Sequence, residues 1–255
     1  RAYVIPLGEQ ARYEIFIPRG KSKGAKNGDA VVAEITERNL RSSFSAGLIV
    51  NVLGDCNSSV LAVEEAICKF DLRIDWPQGV LRQVRTVRQF LTDEDVGTRR
   101  DLRDIAFVTI DGTDAKDFDD AVHVKKTPKG YVLHVAIADV SHYVPRLSPV
   151  DSEALNRGTS VYFPDKVIPM LPEPLSNGIC SLVPNEDRLA LVCKMFVKED
   201  GKVFRSTFFE AVVRSKARLN YDEVNKYFRE KIDILGTSNT GVLKNLLGLQ
   251  RLYER

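Results

Sequence analysis

The sequence predicts an α+β chain, mostly β, in which a small β-barrel precedes part of a larger mixed α/β domain. Three observations lead to this prediction. The first 70 residues hold short apolar runs separated by turn residues, which is typical of short strands. Residues 71–100 contain apolar residues at helical spacing. From residue 101, strand-like apolar runs alternate with helix start and stop signals, so we place the domains at residues 1–70, 71–100 and 101–255.

The strands of the first domain are expected at residues 12–17, 30–36, 46–52 and 60–63. Turn residues separate these runs, including Asn27 followed by Gly28. Five or so short strands in a segment of this length indicate a small barrel, and an OB-fold is the obvious candidate.

Cationic and aromatic residues are interleaved along this segment. OB-fold surfaces bind single-stranded nucleic acid by combining cationic grooves with aromatic stacking platforms. A solvated charged face over core aromatics is the other interpretation, and for any single residue it is at least as good. The basic residues are Arg19, Lys21, Lys23, Lys26, Arg38 and Arg41, and the aromatic ones are Tyr13, Phe16 and Phe44.

Residues 71–100 are predicted to be a helical connector. Pro77 suits the first turn of a helix, and the residues from Thr92 to Asp95, with Gly97, are expected to end it. Three arginines on another face could track phosphate, but a solvated helix face is the commoner meaning. The apolar stripe is Val80, Leu81, Val84, Val87 and Leu91, and the arginines are Arg82, Arg85 and Arg88.

Composition excludes some classes of protein. The 255 residues are 44% hydrophobic and 28% charged with a net charge of +2, as in a soluble globular protein. No apolar run is long enough to span a membrane, and no secretory segment is visible. The cysteines lack metal-binding spacing and lie in apolar contexts, which predicts reduced core thiols in a cytoplasmic protein. They are Cys56, Cys68, Cys180 and Cys193.

Both ends look cut, because the chain starts at Arg1 and stops within an amphipathic helical pattern. We therefore expect a fragment of a longer polypeptide. Of the three histidines, His123 and His134 fall within strand-like runs and are expected to be structural.

One acidic stretch dominates the second half of the chain. Apolar runs at residues 105–110 and 121–124 flank it, so two strands are expected to deliver its carboxylates to one place. Lys116 cannot balance that many negative charges, and burying unpaired carboxylates is costly. A hard divalent cation such as Mg²⁺ is the natural counterion, because it prefers oxygen ligands. The acids are Asp111, Asp114, Asp117, Asp119 and Asp120.

The spacing of these acids requires an irregular loop. In a regular strand Asp117 and Asp119 would point away from Asp120, so a single ion could not reach all three. Gly112 gives the backbone the freedom to fold back. An acidic surface turn is one alternative, but Phe118 and the apolar flanks argue against it. A calcium EF-hand is another, and it fails at the positions where its ligands and glycine should stand.

Downstream residues predict alternating hairpins and helices. We expect hairpins at 121–126 with 131–138 and at 188–197 with 203–209, and an ordered loop at 164–184. Ser148 and Pro149 should open a helix that stops at Gly158. Asn220 and Glu223 should cap another. Asp139 is equally a polar group of the site or a turn residue, and Arg214, Lys216 and Arg218 are candidates to line a nucleic-acid path.

The chain resembles the ribonuclease II/ribonuclease R exoribonucleases, and its spacing is more like the ribonuclease R branch. The resemblance rests on the ordered motifs IDGTDAKDFDDA, HVAIADVSHYV, NRGTSVYFPDKVIPMLPEPLSNGICSLVP and DRLALVCKMFV, spans residues 101–217, and is weaker towards the N-terminus. It implies a cold-shock-like OB domain followed by the incomplete N-terminal portion of the catalytic domain. It also implies a catalytic and metal-binding quartet of Asp111, Asp117, Asp119 and Asp120.

Within that quartet the resemblance implies separate roles. Asp111 and Asp120 resemble direct ligands of the main ion, and Asp119 resembles a residue required for the chemistry. Asp117 would orient the others, whereas Asp114 has no counterpart. The cofactor would be one or two Mg²⁺ ions, or Mn²⁺ in their place. The implied RNA-binding residues are Tyr162, Arg157, Arg41, Lys21 and Lys23.

The implied activity is processive 3′→5′ hydrolysis of single-stranded RNA to nucleoside 5′-monophosphates. The expected partner is single-stranded RNA, with no membrane and a monomeric chain. The family's catalytic arginine, base-clamping phenylalanine and C-terminal OB domain lie beyond position 255 in the pattern, so we expect the fragment to be weak or inactive. The alternatives are a non-catalytic RNA-binding module with a structural acidic loop and a nuclease that acts on DNA.

Overall fold

The computed structural model describes residues 2–7, 14–38, 44–56, 61–230 and 240–255. It divides into two units. The first comprises Arg1–Asp75 with Phe163–Lys166, and the second comprises Trp76–Tyr162 with Val167–Arg255. The expected domain boundaries at residues 70 and 100 stay a prediction.

The first unit is a four-stranded sheet with one helix. The strands are β1 (Ala2–Val4), β2 (Glu14–Ile17), β3 (Asp29–Arg38) and β4 (Phe44–Asp55), in the order β1-β2-β4-β3. Strands β2 and β4 are parallel, and the other pairs are antiparallel. A small core of Ile15, Ile17 and Ile49 holds the sheet together.

The strand expected at residues 60–63 is wrong, because residues Leu61–Lys69 form helix α1 instead. A short apolar run reads equally well as a strand or as the start of a helix. Here Glu64, Glu65 and Ala66 follow it, and these residues favour a helix. The helix buries Leu61 and Ile67.

The second unit is built on a seven-stranded mixed sheet with strand order β13-β6-β7-β8-β11-β12-β5. Its strands are β5 (Arg100–Asp101), β6 (Val108–Asp111), β7 (Asp120–Thr127), β8 (Gly130–Ala138), β11 (Asp187–Val197), β12 (Val203–Arg214) and β13 (Ala217–Asn220), and a separate hairpin pairs β9 (Val161–Tyr162) with β10 (Val167–Ile168). Its helices are α2 (Gln78–Thr86), α3 (Asp93–Val96), α4 (Val140–Tyr143), α5 (Pro149–Arg157), α6 (Tyr221–Glu230), α7 (Thr240–Tyr253) and a π-helical turn at Pro174–Ile179. The predicted α+β class with a majority of strands is confirmed.

Helix α2 ends earlier than its apolar stripe suggested. The backbone is already extended at Val87, so Val87 and Leu91 reach the core from a non-helical segment. The residues that were expected to end this helix begin α3 instead. The Thr92 hydroxyl accepts a hydrogen bond from the Asp95 amide, and the Asp95 carboxylate accepts one from the Thr92 amide, which is a capping box.

Several local predictions are confirmed. Strands β7 and β8 form the expected hairpin, and β11 with β12 forms the second and longer one. The Ser148 hydroxyl caps α5, which ends at Gly158 with φ of 74°. The Asn220 side chain accepts from the Glu223 amide, and the Glu223 carboxylate accepts from the Asn220 amide.

The cysteines lie in two environments. Cys180 is buried and Cys193 is half-buried, whereas Cys56 and Cys68 are exposed. All four are free thiols, so the expectation of reduced cysteines agrees with the structure, but the expectation of core positions is wrong for Cys56 and Cys68. Exposure follows from their sites, since Cys56 follows the last residue of β4 and Cys68 lies near the end of α1.

Within the described ranges, no helix combines the length and apolar character needed to cross a bilayer.

Asn245 of α7 joins the helix to the sheet. Its side chain is 1% exposed. Its Oδ1 accepts from the Val124 amide at 2.8 Å, and its Nδ2 donates to the carbonyls of Ala106 and Val122 at 2.9 and 3.1 Å. One side chain therefore satisfies three backbone groups on two neighbouring segments.

We expect Asn245→Ala to lower the free energy of unfolding by about 2–4 kcal/mol, because it strands buried donors and acceptors. Asn225→Ala, on an exposed position of α6, should change it by less than about 0.5 kcal/mol. Urea denaturation measures both. Similar losses in the two variants would contradict the bridging role of Asn245.

His134 is buried against other rings. It lies opposite His123 in the β7–β8 ladder, and the ring centroids of Phe107 and His134 are 6.3 Å apart. Its Nδ1 is buried without a hydrogen-bond partner among the described residues. Burial, followed by the positive charges of Lys194 and His123, lowers the pKa of His134 to about 4.

This depressed pKa predicts acid sensitivity. His134 stays neutral in the folded chain and takes up a proton on unfolding, so its contribution is complete above its ordinary pKa of about 6.5 and is lost as the pH falls towards 4. We expect the unfolding free energy to fall by about 2 kcal/mol more in the wild type than in His134→Phe over that window. Parallel pH profiles from denaturation would contradict this expectation.

Candidate metal centre

The sheet brings two of the predicted aspartates to one edge. Asp111 is the last residue of β6, and Asp120 is the first residue of β7. The two strands are antiparallel neighbours with Val108 opposite Val122, so the end of β6 and the start of β7 lie at the same edge. Strand β13 runs parallel to β6 on its other side and sets Asn220 opposite Asp111.

Phe118 anchors the loop between these strands. Its ring is 5% exposed and belongs to the main core of the unit. The carbonyl of Phe118 accepts from the Leu182 amide at 2.9 Å, and the carbonyl of Asp119 accepts from the Ala138 amide at 2.8 Å. The aspartates on either side of Phe118 are therefore carried by a fixed backbone, as the apolar residue within the acidic run suggested.

The four carboxylates of the predicted quartet repel one another. Burial, followed by the charges of Asp120 and Asp117, raises the pKa of Asp111. Burial also raises the pKa of Asp119, again followed by the neighbouring carboxylates. Asp119 is solvent-accessible as a residue, yet enough protein surrounds its carboxyl group to remove part of its hydration. The charged form of both groups is disfavoured in the folded chain.

Arg218 offers a partial counter-charge. Its guanidinium group donates to the carbonyl oxygens of Thr113 and Ala115 and lies 5.3 Å from the Phe118 ring centroid. Its positive charge lowers the pKa of Asp111, but burial and the two neighbouring carboxylates outweigh it. The sequence suggested Arg218 only as a residue along a nucleic-acid path, because a contact between positions 113 and 218 has no local signal.

The donor set fits a hard divalent cation. Asp111 Oδ2 is buried and has no hydrogen-bond partner among the described residues, so it is an acceptor that a cation could use. Carboxylate oxygens are the ligands that Mg²⁺ prefers. As placed, however, no three His, Cys, Asp or Glu side chains in the described ranges converge into a ready metal cage. The quartet is thus close enough to interact electrostatically but more open than a closed binding site.

Tyr162 lies beside this quartet. Its hydroxyl donates to Asp117 Oδ2 at 3.0 Å. Its ring is on the short hairpin of β9 and β10, and the residue is 64% exposed. Burial of the hydroxyl and its bond to Asp117 raise the pKa of Tyr162. One side chain therefore offers an open aromatic face and orients a carboxylate at the same time.

The remaining predicted RNA-binding residues have different surroundings. The Arg157 side chain is only 4% exposed, donates to Glu153 at 3.0 Å and stacks 3.5 Å from the Trp76 ring centroid. Lys21 and Lys23 are exposed residues of the first unit. Arg41 lies outside the described residues. The role of these four residues in RNA binding stays a prediction.

Asp139, left open by the sequence, forms an ion pair. Its Oδ2 lies 2.7 Å from Arg99 Nη2, and both side chains are almost fully buried. Its Oδ1 accepts from the Ser141 hydroxyl at 2.7 Å. Among the cations suggested for a nucleic-acid path, Arg214 is also engaged, since its Nε donates to Asp187 at 2.7 Å. Asp139 is thus satisfied by protein groups next to the acidic loop.

Two family models match the chain. One, described as the RNB domain, covers residues 99–254, and the other, described as a cold shock domain, covers residues 3–77. The RNB match confirms the predicted relation of the larger domain to the ribonuclease II/ribonuclease R catalytic domain. The cold shock match confirms the prediction of a cold-shock-like OB domain.

Known proteins match along almost the whole chain. Ribonuclease R of Escherichia coli K12 is 46% identical over 253 residues, which are 99% of this chain and 31% of that protein. The structure titled Mycoplasma genitalium RNase R in complex with double-stranded RNA matches with a TM-score of 0.88 and 31% identity, covering 95% of this chain and 43% of the other. Yeast Ssd1, titled a pseudonuclease, matches at a TM-score of 0.71 and 18% identity, covering 99% and 32% of the respective chains, which shows the fold alone. The chain spans about a third of the length of most of the curated relatives it matches.

Repulsion within the quartet predicts an unusual stability effect. In metal-free buffer we expect Asp119→Asn to raise the free energy of unfolding, because it removes one disfavoured charge. Solvent screening should keep the gain to about 0.5–1 kcal/mol. Asp114→Asn is the matched control, since Asp114 is exposed and outside the quartet. Denaturation in the presence of a chelator measures both, and a destabilised Asp119→Asn would contradict the repulsion.

Proposed function

Because the chain belongs to the RNB-domain family, we propose that the whole protein is a magnesium-dependent exoribonuclease that degrades single-stranded RNA from its 3′ end. The observation that carries the proposal is the cluster of four mutually repelling carboxylates, with the pKa values of Asp111 and Asp119 raised. A folded protein retains such a cluster at a cost in stability, and that cost is offset when cations and phosphate bind.

The residues of the quartet take separate roles in this proposal. Asp111 and Asp120, at the facing ends of β6 and β7, are the groups that would hold the main ion. Asp119, next to them on the fixed backbone, would hold a second ion or the terminal ribose. Asp117 is oriented by the Tyr162 hydroxyl. Asp114 takes no part.

The substrate would be recognised through its shape and its last bases. The exposed ring of Tyr162 is available to stack against a base near the 3′ end. Contacts to the 2′-hydroxyl would select RNA over DNA. Mg²⁺ held by Asp111 and Asp120 would supply the chemistry of phosphodiester hydrolysis, namely activation of a water and stabilisation of the leaving oxygen. Stepwise, processive action would release nucleoside 5′-monophosphates.

A second candidate is an RNA-binding module that has no catalytic activity. The open arrangement of the carboxylates favours it. The intact quartet and the orphaned Asp111 oxygen favour the enzyme. The two proposals differ in whether divalent ions change the fate of the RNA, so a single assay separates them.

The full-length protein carrying the wild-type quartet should shorten a 5′-labelled single-stranded oligoribonucleotide stepwise in Mg²⁺ and stop when the ion is chelated. We expect Asp119→Asn to reduce the rate at least about 100-fold, because it removes a group at the reacting phosphate. Asp114→Asn should cut at the wild-type rate. Gel resolution of the products and a matched DNA strand complete the test.

Equal RNA binding by the wild type and Asp119→Asn, with no degradation by either and no response to Mg²⁺, would establish the binding module instead. Equal cutting of the DNA strand would exclude selectivity for RNA. The 255-residue chain alone should be weak or inactive, and robust degradation by it would contradict that part of the proposal.

A further inference from the structure

Ser181 makes an unusual double contact with the acidic loop. It follows the π-helical turn, and the residue is 0% exposed. Its hydroxyl donates to the carbonyl of Lys116 at 2.9 Å and accepts from the amide of Phe118 at 2.9 Å. These two backbone groups lie immediately before and after Asp117. The hydroxyl group therefore bridges the two peptide groups that flank Asp117, and the hydrogen-bonded ring that it closes includes the α-carbon of Asp117.

The backbone of Ser181 is itself held by hydrogen bonds. The buried guanidinium group of Arg188 donates from Nε to the Ser181 carbonyl at 2.9 Å and from Nη1 to the Asp187 carbonyl at 2.9 Å. The Ser181 amide donates to the Gly178 carbonyl at 3.1 Å, and the next amide, of Leu182, donates to Phe118. Ser181 thus has little freedom to move, and its hydroxyl is a fixed point for the loop.

We propose that Ser181 is a positioning residue for the metal centre, which sets the backbone that carries Asp117 and Asp119. The inference rests on the proposed function. It follows from the partners of the hydroxyl group, because its described hydrogen bonds go to the backbone groups on either side of Asp117. Loss of the hydroxyl leaves the Phe118 amide unpaired in a buried place and removes the partner of the part-buried Lys116 carbonyl, so the loop shifts to find other partners.

Metal binding by separate ligands depends on their spacing, and outer groups that orient ligands typically alter affinity by 10- to 100-fold. The open quartet makes this dependence stronger, because its carboxylates must approach one another against their repulsion when an ion binds. A backbone fixed on both sides of Asp117 reduces the number of arrangements that the ion must select. Ser181 therefore acts through Asp117 and Asp119 and need not touch the ion.

The test is Mn²⁺ binding to the chain, measured by calorimetry and by the electron paramagnetic resonance of free Mn²⁺, with thermal unfolding recorded in parallel. We expect Ser181→Ala to weaken Mn²⁺ affinity about 10-fold or more. Ser181→Cys fills the same space with a weak donor and acceptor, so it should also lose affinity while keeping the packing. If Ser181→Ala does not fold, the measurement on Ser181→Cys tests the proposal in its place.

Ser215→Ala is the matched control. Ser215 is also buried, and its hydroxyl donates to a backbone carbonyl, that of Ala217, at 3.2 Å. It makes no described hydrogen bond to residues 111–120. We expect this variant to lose thermal stability comparably but to bind Mn²⁺ as the wild type does.

The outcomes distinguish a failure of the positioning role from a failure of the metal centre. Wild-type Mn²⁺ affinity in folded Ser181→Ala or Ser181→Cys would overturn the positioning role alone. An equal loss of affinity in Ser215→Ala would also overturn it, because the effect would then follow general stability. Failure of the wild-type chain to bind Mn²⁺, with Asp119→Asn behaving identically, would overturn the proposed metal centre and this inference with it.

Discussion

Electrostatic repulsion among carboxylates at one edge of a sheet is the constraint on which the rest of this structure depends. The end of β6, the start of β7 and the loop between them place four acids where burial and mutual charge raise the pKa values of Asp111 and Asp119. Without other contacts, the cost of burying unpaired carboxylates would favour a loop conformation that exposes them to water. The fold opposes this by burying Phe118 in the core and by fixing the loop backbone through Ala138 and Leu182.

Local sequence signals predicted much of the fold. Capping residues such as Ser148 and the Asn220–Glu223 pair act within a few positions, so their chemistry is visible in sequence and was confirmed. The failures occurred where local signals were ambiguous. The apolar run before Glu64 suits a strand or a helix, and Thr92 looked like an ending although its side chain starts a new helix. The helix-favouring residues after the run decided the first case, and the capping box of Thr92 with Asp95 decided the second.

The sequence predicted which residues form the site, but not which residues hold them in place. The density of aspartates around Phe118 was enough to suggest a metal centre, because few other arrangements tolerate that charge. The contacts that hold the loop come from positions such as Ser181 and Arg218, which are far away in sequence. No periodicity or spacing rule links them to the aspartates. The same holds for Tyr162, whose hydroxyl reaches Asp117 from a separate hairpin.

The parallel pairing of β13 with β6 has a consequence for how the protein is made. Strands β6 and β7 leave the ribosome long before β13, which completes the sheet beside Asp111, and before Asn245, which ties the segments around Ala106 and Val122. Contacts between distant positions form late, because the intervening chain must first be synthesised and then closed into a loop. The sheet beside Asp111 therefore cannot be completed until the residues of β13 have been synthesised.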